Sequence, residues 1–225
     1  MIQDVFSYLN VIQDPMLVIV DVGCYGGAFK NLVEPLISKP SFWVGIDPID
    51  AGLAQYNIRI KKAITNIKEE AVVNFYDYKY RQCSSLLPMN IEIVTYDPEE
   101  WNTKWLAPWP IEELNEIYGV VACSLKHALK DIPETDMIHF LKIDTQGMDI
   151  HVVESLGEKL NNTYFIQLEC VATHNPEIVL YKGQTIMEYD VLKMKEFGFE
   201  IFSAEYATSS PEADVIFYNK NLVKI

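Results

Sequence analysis

The chain has 225 residues, 49% of them hydrophobic and 12% aromatic, with a mean hydropathy of +0.03, so it is too apolar for wholesale disorder and long enough to bury one substantial core. Its 32 acidic residues against 18 basic ones leave a net charge of −14, which disfavours nucleic acid and anionic membrane surfaces as partners. The densest basic stretch, Arg59, Lys61, Lys62 and Lys68 with Lys79 and Arg81, is diluted by Glu69, Glu70 and Asp77 and reads as a solvated face.

Val5, Phe6, Leu9 and Ile12 recur at spacings of three and four, which predicts an amphipathic helix over residues 3–13, stopped by Asp14-Pro15. The apolar, β-branched run of residues 17–22 predicts a strand buried on both faces. Glycines follow, then a helix over residues 28–38 and a second buried strand over residues 42–46, closed by Asp47-Pro48. This βαβ unit predicts a parallel sheet with a right-handed crossover. Residues 57–65 and 71–78 alternate like strands, and residues 91–116 read as an irregular excursion with a short helix. Further strands are predicted over residues 120–124, 138–144, 164–170, 199–203 and 214–218, with helices over 148–157 and 189–196. Repeats, low-complexity tracts and flexible linkers are missing, which favours one domain.

Cys24, Cys83, Cys123 and Cys170 are scattered, without zinc spacing or the density of a secreted disulfide scaffold, so a reducing compartment is expected. Met1-Ile2-Gln3-Asp4-Val5 lacks the basic and apolar regions of a signal peptide, and the apolar run of residues 16–20 is too short to span a bilayer. The expectation is a soluble, cytoplasmic protein.

Three features carry chemistry. Gly23, Gly26 and Gly27 follow the first strand directly, in the turn Asp21-Val22-Gly23-Cys24-Tyr25-Gly26-Gly27, where glycine lets a ligand approach backbone N–H groups; the alternative is a tight turn with glycines for packing alone. Asp47 ends the second strand about twenty residues beyond the turn, where a carboxylate can accept both hydroxyls of an adenosine ribose. Its alternative role is to begin a turn with Pro48. Tyr25 stands where dinucleotide binders want glycine, which disfavours a pyrophosphate and suits S-adenosylmethionine. The expected cofactor contacts are Asp21, Gly23, Cys24, Tyr25, Gly26 and Asp47.

The third feature is Leu141-Lys142-Ile143-Asp144-Thr145-Gln146-Gly147-Met148-Asp149, which puts Asp144 and Gln146 at the strand-end rim on the cofactor side. Asp149 suits the helix N-terminus. Lys142, inside a strand pattern, calls for a carboxylate partner or a place at the sheet edge.

With these motifs in order, the chain resembles the FkbM family of S-adenosylmethionine-dependent methyltransferases. The resemblance runs from about residue 17 to residue 219: Asp21 to Gly27, Asp47, the Ser84-Ser85-Leu86-Leu87 segment, Lys142 to Asp149, Gln167-Leu168-Glu169, Leu180-Tyr181-Lys182-Gly183 and Gly198-Phe199. Gln146 replaces the more usual Glu, Lys126 follows Leu125 where an Asp is common, and residues 91–116 look like additional material. The resemblance implies an α/β, Rossmann-like class I methyltransferase fold: a mostly parallel seven-stranded sheet with helices on both faces and an antiparallel last strand. It implies one methyltransferase domain over residues 1–225, with residues 1–16 as a helix on the core and 91–116 as an irregular insertion. It also implies methyl transfer from S-adenosylmethionine to an oxygen of a small molecule or sugar-like acceptor.

A hydroxyl acceptor gains from a general base near the methyl group, and the candidates are Asp144, Glu169 and His174, near predicted strand ends. His127, His139 and His151 fall in strand or helix patterns and read as structural. Asp144 with Glu169 is also a possible oxygen pair for a divalent cation, and the metal is left unassigned. Tyr25, Trp101, Trp105 and Trp109 are candidates for an aromatic acceptor pocket, with core packing as the alternative for each. A homo-oligomer is compatible with the sequence. The competing functions are an NAD(P)-dependent oxidoreductase, disfavoured by Tyr25 and by the lack of a Tyr-x-x-x-Lys pair, and a catalytically silent S-adenosylmethionine-binding module.

Overall fold

The computed structural model describes residues 2–49, 55–97, 99–100, 105–107, 110–208 and 210–224. Helix α1 (Ile2–Val11) leads into strand β1 (Leu17–Val22), helix α2 (Ala28–Val33) and strand β2 (Ser41–Ile46). Strands β3 (Ile58–Ile60), β4 (Ala63–Ile64) and β5 (Ala71–Tyr78) follow, then the short pair β6 (Val94–Thr95) and β7 (Trp105–Leu106), and the long β8 (Leu114–Cys123). The chain continues through α3 (Leu125–Ala128), β9 (Ile138–Ile143), α4 (Asp149–Leu156), β10 (Thr163–Val171), α5 (Met187–Glu196), β11 (Phe199–Tyr206) and β12 (Glu212–Asn219).

Seven strands form the central sheet in the order β3-β2-β1-β9-β10-β12-β11. The pairs from β3 to β10 are parallel, and β12 runs antiparallel between β10 and β11. The order reverses at β1, where the chain crosses from β3 to the β9 side, so a crevice opens outside the carboxyl ends of β1 and β2. This is the Rossmann-like class I methyltransferase fold.

Alternation along β1 divides its side chains between two cores. Leu17 and Ile19 face α1 and α2, packing with Val5, Phe6, Leu9, Val33, Trp43, Phe140 and Phe165. Val20 and Val22 face Leu125 of α3, Ile150, Val153 and Leu156 of α4, and Met194 of α5. Burial on both faces explains why these strands read as continuous apolar runs. His139 belongs to this framework: it is buried, and its Nδ1 accepts the Val18 amide at 2.9 Å.

Three stretches differ from the expectation. Strands β4, β8 and β5 leave the central sheet and form a second one, in which β5 pairs antiparallel with β8 along its length. The predicted helix over 28–38 closes at Val33 and continues as a 3-10 turn at Glu34–Leu36, with Pro35 inside it. Residues 91–116 contain a 3-10 turn at Ile91–Ile93 and the parallel β6–β7 pair, and β8 already begins at Leu114.

Gly23 joins the two halves of the crevice. Its φ is +76°, and a Cβ there would lie 1.7 Å from the Asp144 carbonyl oxygen. Neither the conformation nor the space admits a side chain. Gly23→Ala is therefore expected to lose about 2 kcal/mol or more of unfolding free energy in urea titration. A loss below about 0.5 kcal/mol would mean that β9 withdraws freely, contrary to this packing.

Candidate active site

The cleft over the carboxyl ends of β1, β2 and β9 encloses about 220 Å³. The turn after β1 contributes Asp21, Gly23, Cys24 and Tyr25; Asp47 comes from the end of β2; Lys142, Asp144, Thr145 and Gln146 come from the end of β9. Lys62, Ser84 and Ser85 close the far wall. Parallel pairing of Val22 with Ile46 and of Val22 with Ile143 brings these three strand ends level.

Asp21 is fully buried. Tyr56 Oη donates to its Oδ2 at 2.5 Å, while Oδ1 has no hydrogen-bond donor and lies 3.8 Å from Lys142 Nζ. Burial raises the Asp21 pKa, with Lys142 opposing. Lys142 Nζ donates to Asp144 Oδ2 at 3.0 Å and to the Gly23 carbonyl at 3.4 Å. Burial works against its charge, but Asp144 and Asp21 outweigh burial and hold the ammonium above its ordinary value. The carboxylate partner expected of a strand lysine is thus present.

Asp47 is 5% exposed. Its Oδ1 accepts the Ile49 amide at 2.7 Å, so the turn-forming role is real. Burial lifts its pKa to about 7, with the amides of Ile49 and Tyr25 opposing. A carboxylate has about four acceptor positions, so capacity remains toward the cleft.

Beyond Lys142 the rim is acidic. Gln146 Nε2 donates to Asp144 Oδ1 at 2.7 Å and to Glu169 Oε2 at 2.9 Å. Tyr181 Oη lies 2.7 Å from the Cys83 carbonyl and 2.8 Å from Gln146 Oε1, its one proton serving either acceptor. Burial, reinforced by Asp144 and Glu212, pushes the Glu169 pKa well up. Burial likewise pushes the Cys83 thiol up to about 12, with Glu212 and Glu169 adding to it. Asp149 is buried at the start of α4, where its Oδ1 accepts the Thr145 amide at 3.1 Å.

Gln146 joins Asp144, which lines the cleft, to Glu169, which does not itself line it; His174 is not brought to either. Its side chain is 95% exposed and pairs with Glu188 at 2.6 Å, outside the residues that line the cleft. The loop after β10 carries it over α5, away from β1 and β9. The space between Asp144 and Glu169 holds the Gln146 amide, and no group of three or more His, Cys, Asp or Glu side chains that could hold a metal occurs among the described residues. Of the aromatic set, Tyr25 lines the cleft, Trp105 is buried in a separate cluster with Tyr78 and Met89, and Trp101 and Trp109 lie outside the described residues. Lys126 forms a surface ion pair with Glu158. Tyr56 was not legible as a partner of Asp21, since no spacing rule links residues 21 and 56.

No known sequence family matches the chain, and neither does any curated protein. Among solved structures it is similar to a methyltransferase FkbM from Methylobacillus flagellatus KT, with a TM-score of 0.49 and 9% identity over 96% of this chain and 47% of that one. It is also similar to magnesium protoporphyrin IX methyltransferase from Synechocystis PCC 6803 with bound SAH, with a TM-score of 0.45 and 10% identity over 97% of this chain and 81% of that one. A ribosomal protein L11 methylase from Lactobacillus delbrueckii subsp. bulgaricus gives a TM-score of 0.41 and 11% identity over 97% of this chain and 77% of that one. The chain spans about half the length of the first of these. The fold assignment stands on the strand order and directions of the sheet itself. No helix among the described residues is long and apolar enough to cross a membrane.

The buried acids predict a pH dependence of stability. Asp149 titrates at about 7 in the fold against 3.8 ordinarily, chiefly through burial and then Asp144. The folded chain therefore binds more protons than the unfolded chain between these values. This contribution is full below the lower value and is lost as pH rises through the upper one. Thermal melts should show Tm falling less steeply from about pH 5 to about pH 8 in Asp149→Asn, which keeps an acceptor for the Thr145 amide. An identical slope in the two proteins would rule out Asp149 as a source.

Proposed function

We propose that the chain binds S-adenosylmethionine in this cleft and transfers its methyl group to a hydroxyl of a small-molecule or saccharide acceptor. The observation that carries the reading is the convergence of the glycine turn after β1 and the acid ending β2 on one cleft. The residues fit that cofactor: Asp47 provides carboxylate acceptors for a ribose, and the orphaned Asp21 Oδ1 suits a cationic ligand. Tyr25 in the lining favours a ligand without phosphates. The ordered motifs that resemble the FkbM family support the same assignment.

Bound there, S-adenosylmethionine supplies an electrophilic methyl group on a sulfonium. The chain's own residues then have two tasks. The turn and Asp47 hold the cofactor in place, a proximity effect worth several kcal/mol. Asp144, at the cleft, receives the proton that the acceptor hydroxyl gives up as its oxygen is methylated, with Glu169 behind it across the Gln146 amide. Burial and the neighbouring Asp144 raise the Glu169 pKa, and a carboxylate with a raised pKa is the stronger base. Lys142 keeps Asp144 oriented through the 3.0 Å ion pair.

Calorimetry is expected to show binding of S-adenosylmethionine and S-adenosylhomocysteine and none of NAD. Asp47→Ala is expected to weaken the cofactor about ten- to a hundredfold, since a charged hydrogen bond contributes about 1.5–3 kcal/mol. Asp47→Asn, which keeps an acceptor for Ile49, should show most of that loss without the change in the turn. Preference for NAD, or full affinity in both variants, would sink the assignment.

A further inference from the structure

Gln146 sits where three segments meet. Its backbone is left-handed, with φ of +56°, and among the described residues no other non-glycine residue has a positive φ. Such a conformation persists only where the surroundings hold it. Here its carbonyl oxygen accepts Ser85 Oγ at 2.6 Å, and its side-chain oxygen faces Tyr181 Oη at 2.8 Å. The segment carrying Tyr181 is itself tied to residues 88–90 by the Lys182 amide on the Pro88 carbonyl and the Asn90 amide on the Leu180 carbonyl. The amide nitrogen is left pointing at the strand ends, with one N–H for Asp144 and one for Glu169. The partners also settle which end of the amide is which, since a carboxylate must face a donor.

Two carboxylates facing one gap ordinarily share a proton or a divalent cation. Glu169 is surrounded by Lys142 of β9, Asp144 just beyond it, Asp149 of α4, Glu212 and Asp214 of β12, and Cys83 and Tyr181. Acids dominate that set, yet a neutral amide closes the gap. We propose that Gln146 is a positioning residue whose amide nitrogen takes the place of the shared proton or cation, fixing Asp144 and Glu169 relative to each other. Its consequence for methyl transfer rests on the function proposed above; the clamp itself does not.

Three variants separate a clamp from a space-filler. Gln146→Leu removes both donors at similar size, and the NMR titration midpoint of a 13C-labelled Glu169 carboxyl is expected to rise by about one unit or more. Tyr181→Phe, which frees only the far end of the amide, should move it the same way by less, and it serves if the first variant fails to fold. Gln146→Glu keeps the shape but makes a third carboxylate, and should bind Mn2+ at least about tenfold more tightly than the natural chain by EPR titration. A Glu169 midpoint unmoved in the folded variants, or Mn2+ affinity unchanged in Gln146→Glu, overturns the proposal. None of these readouts uses the cofactor. Failure of the natural chain to bind S-adenosylmethionine would sink the proposed function and leave the clamp standing.

Discussion

Lys142 is the residue around which the carboxyl-terminal edge of the sheet is organised. It lies directly across from Asp21 in the β1–β9 register, and its ammonium reaches Asp144 at 3.0 Å, Asp21 at 3.8 Å and the Gly23 carbonyl at 3.4 Å. A buried ammonium costs several kcal/mol unless it is paired, and the carboxylates beside it are equally costly without it. One side chain therefore links the glycine turn to the acidic rim.

One cation does not neutralise this edge. Burial raises the pKa of Asp21, Asp47, Asp149, Glu169 and Glu212, and each is pushed further by an acidic neighbour. A fold selected for stability alone would replace several of these acids by neutral residues. Asp21 and Asp47 line the cleft itself, and such a concentration of buried acids is the kind of local conflict that marks a functional site. A ligand carrying positive charge would offset it, which is the electrostatic side of the argument for a sulfonium cofactor.

Much of this was legible in the sequence, for identifiable reasons. β1, β2 and β9 are buried on both faces, so their apolar runs announce them, and the turn and Asp47 follow by position. The second sheet was not legible, because the alternation of residues 71–78 has the same period whichever sheet receives the strand. Residues 91–116 carry pairs of only two residues each, too short for any period to show. Asp144 and Glu169 could be read from their strand ends. His174 misled because it too follows a strand, and the loop direction that takes it to Glu188 has no local signature. Gln146 stood out as a departure from a motif, but its left-handed backbone depends on Ser85 and Tyr181, 61 and 35 residues away.

The structural role of Asp47 and the ribose-binding role proposed for it need not compete. From the sequence, a turn-forming acid and a ribose-binding acid look like alternatives. In the fold, Oδ1 accepts the Ile49 amide and so holds the carboxylate at the edge of the cleft in one orientation. An acid whose rotamer is already fixed loses less entropy on binding a ligand than a free one. The same burial that lifts its pKa to about 7 also strengthens any hydrogen bond it accepts there. On the proposed assignment, the turn contact is what would hold this strand-end aspartate ready for a pair of hydroxyls.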